Sequence, residues 1–302
     1  MKQAMAACVR IIAMAMLAGM SCAGAAISVR DDSGTEVTLA APATRIVSLA
    51  PHATELLFAA GAGARIVGVI ATSDFPPQAK ALPRVGDAAA LDFERILEDR
   101  PDLVVTWPYT APAQVAAIRA RGIAVFTTDP KTIEGIADDL ERLGVLVGNE
   151  APARATAEAF RARLARIRAD HAGARRVRVF YQIWNAPLYT IGGGHLITRA
   201  IELCGADNVF AALRLPAPSV SIEAVLAAQP DAIIAGADGG ARPPWLDDWQ
   251  RFPALPAVLH GNLYAVNADF LHRAGPRFVD GVAELCAAID RARGHWGRVP
   301  ER

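Results

Sequence analysis

Charge of neither sign predominates in this 302-residue chain, in which 31 lysines and arginines stand against 31 aspartates and glutamates. A neutral balance removes the electrostatic case for nucleic acid, whose binding rests on neutralising phosphates. Aromatic residues are sparse, at 6%, within the range of a soluble globular protein. Long apolar runs are missing as well. Beyond the N-terminus no segment approaches the roughly 20 apolar residues that a membrane-spanning helix needs. No Gly-Lys-Ser or Gly-Lys-Thr follows the triple glycine Gly192-Gly193-Gly194, so it is not a phosphate loop. No Gly-x-Gly-x-x-Gly opens a helix, and no Gly-x-Ser-x-Gly elbow is present. The six histidines are scattered, without His-Glu-x-x-His or a close pair. His52 and His272 follow predicted strands and can face one cleft, but two ligands do not make a metal site. With no nucleophile–base arrangement either, the pattern argues against an enzyme.

Cysteine is scarce, and its placement is informative. Of four cysteines, Cys8 and Cys22 fall in an N-terminal segment unlike the rest. There Lys2 and Arg10 precede the apolar run Ile11 to Met20, and Ala23-Gly24-Ala25 fits a signal-peptide cleavage pattern. The run is too short to span a membrane. Lipidation at Cys22 is the second option, weakened by the poor preceding box Gly19-Met20-Ser21. The segment predicts export, which leaves Cys204 and Cys286 in an oxidising compartment. A disulfide and a pair of buried thiols both remain open.

One internal repeat dominates the remainder. Asp92-Phe93-Glu94-Arg95-Ile96-Leu97 followed by Arg100-Pro101-Asp102-Leu103-Val104-Val105 returns as Ser221-Ile222-Glu223-Ala224-Val225-Leu226 followed by Gln229-Pro230-Asp231-Ala232-Ile233-Ile234. A repeat at such long spacing predicts two similar lobes facing across a cleft. Asp92 and Ser221 are suited to N-capping the repeat helices. Pro101 and Pro230 mark turns into the strands beginning at Leu103 and Ala232. Alternating strand and helix signals predict α/β lobes with mostly parallel sheets. Between the copies, Glu150 to His171 carries Phe160, Leu164 and Ile167 at helical spacing. A helix of that length runs about 33 Å, enough to join the lobes. The expected organisation is a signal peptide over 1–25, a lobe over 26–148, a linking helix over 149–173 and a second lobe over 174–302.

These segments resemble the periplasmic substrate-binding proteins of ABC importers, in the class with one rigid connecting helix, and within it the cobalamin-binding family. The resemblance covers about Arg45 to Asp290. It rests on Arg45-Ile46-Val47-Ser48-Leu49-Ala50-Pro51-His52-Ala53-Thr54-Glu55-Leu56, Ser73-Asp74-Phe75-Pro76-Pro77-Gln78, Leu203-Cys204-Gly205-Ala206-Asp207-Asn208-Val209-Phe210, Arg273-Ala274-Gly275-Pro276-Arg277 and Glu284-Leu285-Cys286. It implies a non-enzymatic, monomeric periplasmic carrier with no cofactor of its own, whose ligand is cobalamin or a related corrinoid. It implies a permease and ATPase complex in the inner membrane as partner. It implies a Cys204–Cys286 disulfide and permease docking through Glu94 and Glu223. A carboxylate in a helix's first turn is also favoured by the helix dipole.

A corrin is a large amphipathic disc and requires apolar and aromatic walls with a few polar groups. Pro51, His52, Phe75, Trp107, Tyr109, Trp184, Phe270, His272 and Arg273 are the candidates. The sequence departs from the family pattern at Thr72, Ala88 and Ala217, where aromatics are expected, and at Phe270-Leu271-His272, where Trp-Phe-Glu is expected. Trp184 stands where the pattern has a small residue. A reshaped cleft leaves haem, siderophore or metal-ion carriage as alternatives, with Tyr109 and His272 as candidate haem ligands. A chelatase-like tetrapyrrole enzyme is the enzymatic alternative.

Overall fold

The computed structural model describes residues 26–87 and 90–295. The expected signal peptide, Cys8, Cys22 and Ala88 lie outside them. Two four-stranded sheets, each wholly parallel, form two lobes. The first contains β3 (Ile46–Ser48), β4 (Ile66–Val69), β5 (Leu103–Thr106) and β6 (Ala124–Thr127), in the order β4-β3-β5-β6. An antiparallel hairpin, β1 (Ile27–Arg30) and β2 (Glu36–Leu39), packs beside it. The second contains β7 (Val177–Gln182), β8 (Ala206–Asn208), β9 (Ala232–Ala237) and β10 (Leu263–Asn267), in the order β8-β7-β9-β10. Taken in chain order within each lobe, the two sequences of strands are the same.

Helices α1 (Pro51–Ala59), α2 (Phe93–Glu98), α3 (Pro112–Arg119) and α4 (Gly135–Leu146) cover the first sheet. Buried strands such as Leu103–Thr106 are apolar along most of their length because parallel sheets are covered on both faces. The linking helix α5 (Glu150–Asp170) buries Ala153, Ala157, Phe160, Leu164 and Ile167. Its charged residues grip both lobes. Arg161 pairs with Glu141 of α4 at 2.8 Å, and Arg163 pairs with Asp280 of the second lobe. The second lobe adds α6 (Leu196–Leu203), α7 (Ile222–Ala228), α8 (Pro256–Leu259), α9 (Ala268–Leu271) and α10 (Phe278–His295). A disulfide joins Cys204, just after α6, to Cys286 in α10, with their Cα atoms 4.9 Å apart. Among the described residues no helix is long and apolar enough to cross a membrane.

The repeat has a matching geometry in both lobes. Asp92 accepts from Arg95 N at 2.9 Å and Ser221 from Ala224 N at 3.2 Å, capping α2 and α7. Ile96 and Val225 anchor the two helices with no exposed surface. Each helix then ends in a residue with positive φ, Arg100 at 44° and Gln229 at 45°. The following Pro-Asp turns the chain into the strand. Asp102 accepts from Arg45 N at 3.1 Å, and Asp231 accepts from Arg178 N at 2.8 Å. Arg45 donates back to Asp99 O and Arg178 to Ala228 O, both at 2.6 Å. The repeated aspartates thus tie the amino end of the lobe's first strand to its neighbour.

Candidate functional site

In an open parallel sheet, ligands bind beyond the carboxyl ends of the strands. Both sheets turn those ends toward one shared cleft. Its central cavity, of about 370 Å³, takes its first wall from His52, Trp107, Tyr109 and the loop Thr128 to Lys131. The opposite wall comes from His195, Pro216, Leu271, His272 and Phe278. Trp107 is the centre of the first wall. Its ring meets His52 edge-on at 5.4 Å between centroids and Tyr109 at 4.8 Å. Tyr109 is 70% exposed, so most of its ring is open to an incoming molecule.

The cavity histidines are held neutral. Burial, then the Arg273 charge, lowers His52 to about 4. Burial, then His272, lowers His195 to about 4. Desolvation within the cleft also lowers His272. The His195 Nδ1 accepts from Ile197 N at 3.1 Å and caps α6, which leaves the proton on Nε2. His272 Nε2 lies 3.1 Å from the hydroxyl of the buried Tyr181. No group of three or more His, Cys, Asp or Glu among the described residues is arranged to hold a metal ion. The cleft is therefore a surface of aromatic faces and neutral imidazoles, with the Asp129–Lys131 ion pair on the first wall.

The Thr128–Lys131 loop is braced from behind. Thr127 N donates to Asp31 Oδ2 at 3.0 Å and Asp129 N to Asp32 Oδ2 at 2.6 Å. The Thr128 hydroxyl donates to Asp139 Oδ2 at 2.7 Å. Burial and the Asp32 charge push Asp139 up to about 8, and Arg142 bridges both carboxylates. The β1–β2 turn thus fixes one wall of the cleft.

Five predicted ligand-site residues, Pro51, Phe75, Trp184, Phe270 and Arg273, do not line the central cavity. Phe75, Phe270 and Arg273 belong to a clamp between the lobes, directly behind His52. Glu55 of α1, only 3% exposed, accepts from Arg277 at 2.6 and 2.9 Å and from Arg273 at 3.3 Å. Arg273 also reaches Asp74 at 2.6 Å and Asp269 at 2.9 Å. The Arg277 guanidinium sits 3.8 Å over the Phe75 ring and 5.1 Å from Phe270. Pro51 occupies the first position of α1, where its missing N–H costs nothing. Trp184 lies in an adjoining cavity, described below. His52, Trp107, Tyr109 and His272 are brought together as expected. Reading by sequence did not pick out His195 or the Thr128–Lys131 loop. The signal for the loop was its position after a strand, at Thr127.

Glu94 and Glu223 both sit in the first turn of their helices and are exposed. Each helix leads directly into a strand that it must run back along. That places its N-terminus at the strand's carboxyl end, on the rim of the cleft. Its own backbone N–H and the Ser221 hydroxyl hold the Glu223 carboxyl below the usual range.

Two parallel α/β lobes, a single bridging helix and an aromatic-lined cleft define a binding protein. Residues 46–269 match the family model described as periplasmic binding protein, and the chain belongs to that family. The vitamin B12-binding protein of Vibrio cholerae serotype O1 is 38% identical over 253 residues, covering 83% of this chain and 91% of that protein. The crystal structure of the periplasmic vitamin B12 binding protein of Vibrio cholerae has 37% identity and a TM-score of 0.77, covering 83% of this chain and 98% of that one. The periplasmic heme-binding protein of Roseiflexus sp. RS-1 in apo form has 26% identity and a TM-score of 0.72, covering 82% and 98%.

Proposed function

We propose that this protein is the periplasmic substrate-binding component of an ABC importer and carries cobalamin or a related corrinoid in the cleft between its lobes. The observation that carries the reading is the cavity itself. It joins Trp107 and Tyr109 on one lobe to His195 and His272 on the other, which suits an amphipathic disc with polar edges. The likeness to vitamin B12-binding proteins over most of the chain supports the same ligand. The bound molecule leaves unchanged. Residues 1–25 direct export, and the mature protein acts as a monomer with no resident cofactor.

Delivery runs through Glu94 and Glu223. They stand on the rims of both lobes, and neither is engaged by a basic side chain among the described residues. Arginines on an inner-membrane permease would complete them, setting orientation and association rate more than affinity. The clamp at Glu55 and the continuous helix α5 keep the lobes at a nearly fixed angle, so loading involves little closure.

A second reading, haem carriage, has one specific support. The mostly exposed phenol of Tyr109 and the imidazoles of His195 and His272 lie around one cavity, where haem takes axial ligands. Calorimetric titration of the mature protein with cyanocobalamin, hemin and zinc separates the readings. Saturable heat with cyanocobalamin at micromolar concentrations is expected. Silence with cyanocobalamin and heat with hemin or zinc would overturn the corrinoid reading.

A further inference from the structure

The cleft does not end at His272. On the other side of that ring opens a second cavity, of about 400 Å³, lined by Trp184, Asp238, Arg242, Trp245 and His272. All five come from the second lobe, from segments that follow β7, β9 and β10. His272 lines both cavities, and the buried Tyr181 holds its Nε2 at 3.1 Å. A Cβ at position 236 would lie 2.7 Å from His272 Nε2 and 2.8 Å from the Tyr181 hydroxyl. Gly236 is what lets the pair stand there.

The arm has a definite chemistry. Trp184 is 58% exposed, and its indole N–H donates to Ala186 O at 3.2 Å. That bond steadies the ring while its face stays open for stacking. Trp245 adds a second indole to the lining. Asp238 is exposed, and although its backbone carbonyl accepts from Ala241 N at 3.2 Å, its carboxylate makes no hydrogen bond or ion pair among the described residues and is open as an acceptor. Arg242 is committed, to Leu263 O and to Asp247, both at 2.6 Å. The arm therefore offers aromatic faces and a hydroxyl-binding carboxylate but no uncommitted cation. A free phosphate is poorly matched. A heteroaromatic ring stacked on an indole, with its sugar hydroxyls on a carboxylate, is the complement.

We propose that this arm receives a nucleoside appendage of the corrinoid held in the central cavity, a proposal that rests on the corrinoid reading above. Corrinoids present that chemistry from two sources, the nucleotide loop below the ring and an adenosyl group above it. The arm is confined to one lobe, so the ligand sits in a single orientation with its nucleoside toward Trp184.

The test uses three probes in calorimetric titrations of the mature protein. Dicyanocobinamide carries no nucleoside, cyanocobalamin carries only the loop, and adenosylcobalamin carries both. Trp184→Ala is expected to weaken a nucleoside-bearing corrinoid about tenfold, the size of one aromatic stacking contact, and to leave cobinamide unchanged. Loss with both cobalamins assigns the loop, and loss with adenosylcobalamin alone assigns the adenosyl group. Asp238→Asn, at an exposed position, is expected to weaken the same probe by less. Equal loss for all three probes, or none for any, overturns the arm while leaving the corrinoid reading intact. Failure of the unaltered protein to bind any of the three overturns both.

Discussion

The two lobes share a frame and differ where they face each other. At the amino ends of the strands the match extends to single hydrogen bonds. Asp102 and Asp231 hold equivalent backbone groups, and Arg45 and Arg178 answer equivalent carbonyls. At the carboxyl ends the match stops. The first lobe presents Trp107 and Tyr109, while the second presents His195, His272 and an additional arm at Trp184. A duplicated frame thus carries a binding surface that is not duplicated. Symmetry in such a protein reports on scaffold and rim, and the asymmetric loops report on cargo.

The largest expected effect strikes a feature of one lobe alone. The Cys204–Cys286 bond closes a chain separation of 82 residues in the second lobe. Replacing both with serine should cost about 4 kcal/mol in denaturant unfolding. Next comes the clamp that neither lobe owns. Glu55→Ala strips a buried carboxylate from two arginines and should cost about 3 kcal/mol by the same measurement. A cost near zero would show that the lobes are held together by α5 and core packing alone.

The cavity histidines compare the lobes by pH. His52 and His195 titrate near 4 when folded, below the unfolded value of about 6.5. Between those limits the unfolded chain binds more protons at these two sites, so their contribution to stability is constant above about pH 6.5 and falls as pH drops toward 4, while the raised Asp139 works in the opposite sense up to about pH 8. His52→Gln and His195→Gln should each flatten part of that fall. Both are lowered to about 4, so the two variants should flatten it by similar amounts. The matched aspartates give the smallest and most exact comparison. Asp102→Ala loses the acceptor for Thr44 N, the Thr44 hydroxyl and Arg45 N, Asp231→Ala that for Arg178 N, and each should cost about 1–2 kcal/mol. A cost near zero at either position would break the equivalence.

Much of this frame was legible in the sequence because it is local. The caps, the Pro-Asp turns and the apolar spacing of α5 occupy a few residues each. Strand β8 was not legible, since Ala206-Asp207-Asn208 has neither length nor alternation. The clamp was not legible either, because Glu55 meets Arg273 and Arg277 across 218 and 222 positions of chain. Within the site, His52, Trp107 and His272 were found because they follow strands. His195 escaped because a histidine cap is outside the usual Ser, Thr, Asp and Asn set. Phe75, Phe270 and Arg273 have the chemistry of a ligand wall, and only three-dimensional placement puts them in the clamp.

On the corrinoid reading proposed above, cargo lies between the lobes and the glutamates serve only the rim. Calorimetric titration of cyanocobalamin into Trp107→Ala, and into the Glu94→Lys, Glu223→Lys double variant, tests both halves. Binding at least about tenfold weaker is expected in the first, from the loss of a central aromatic wall, and unchanged binding in the second. Normal affinity in Trp107→Ala together with lost affinity in the double variant would contradict it.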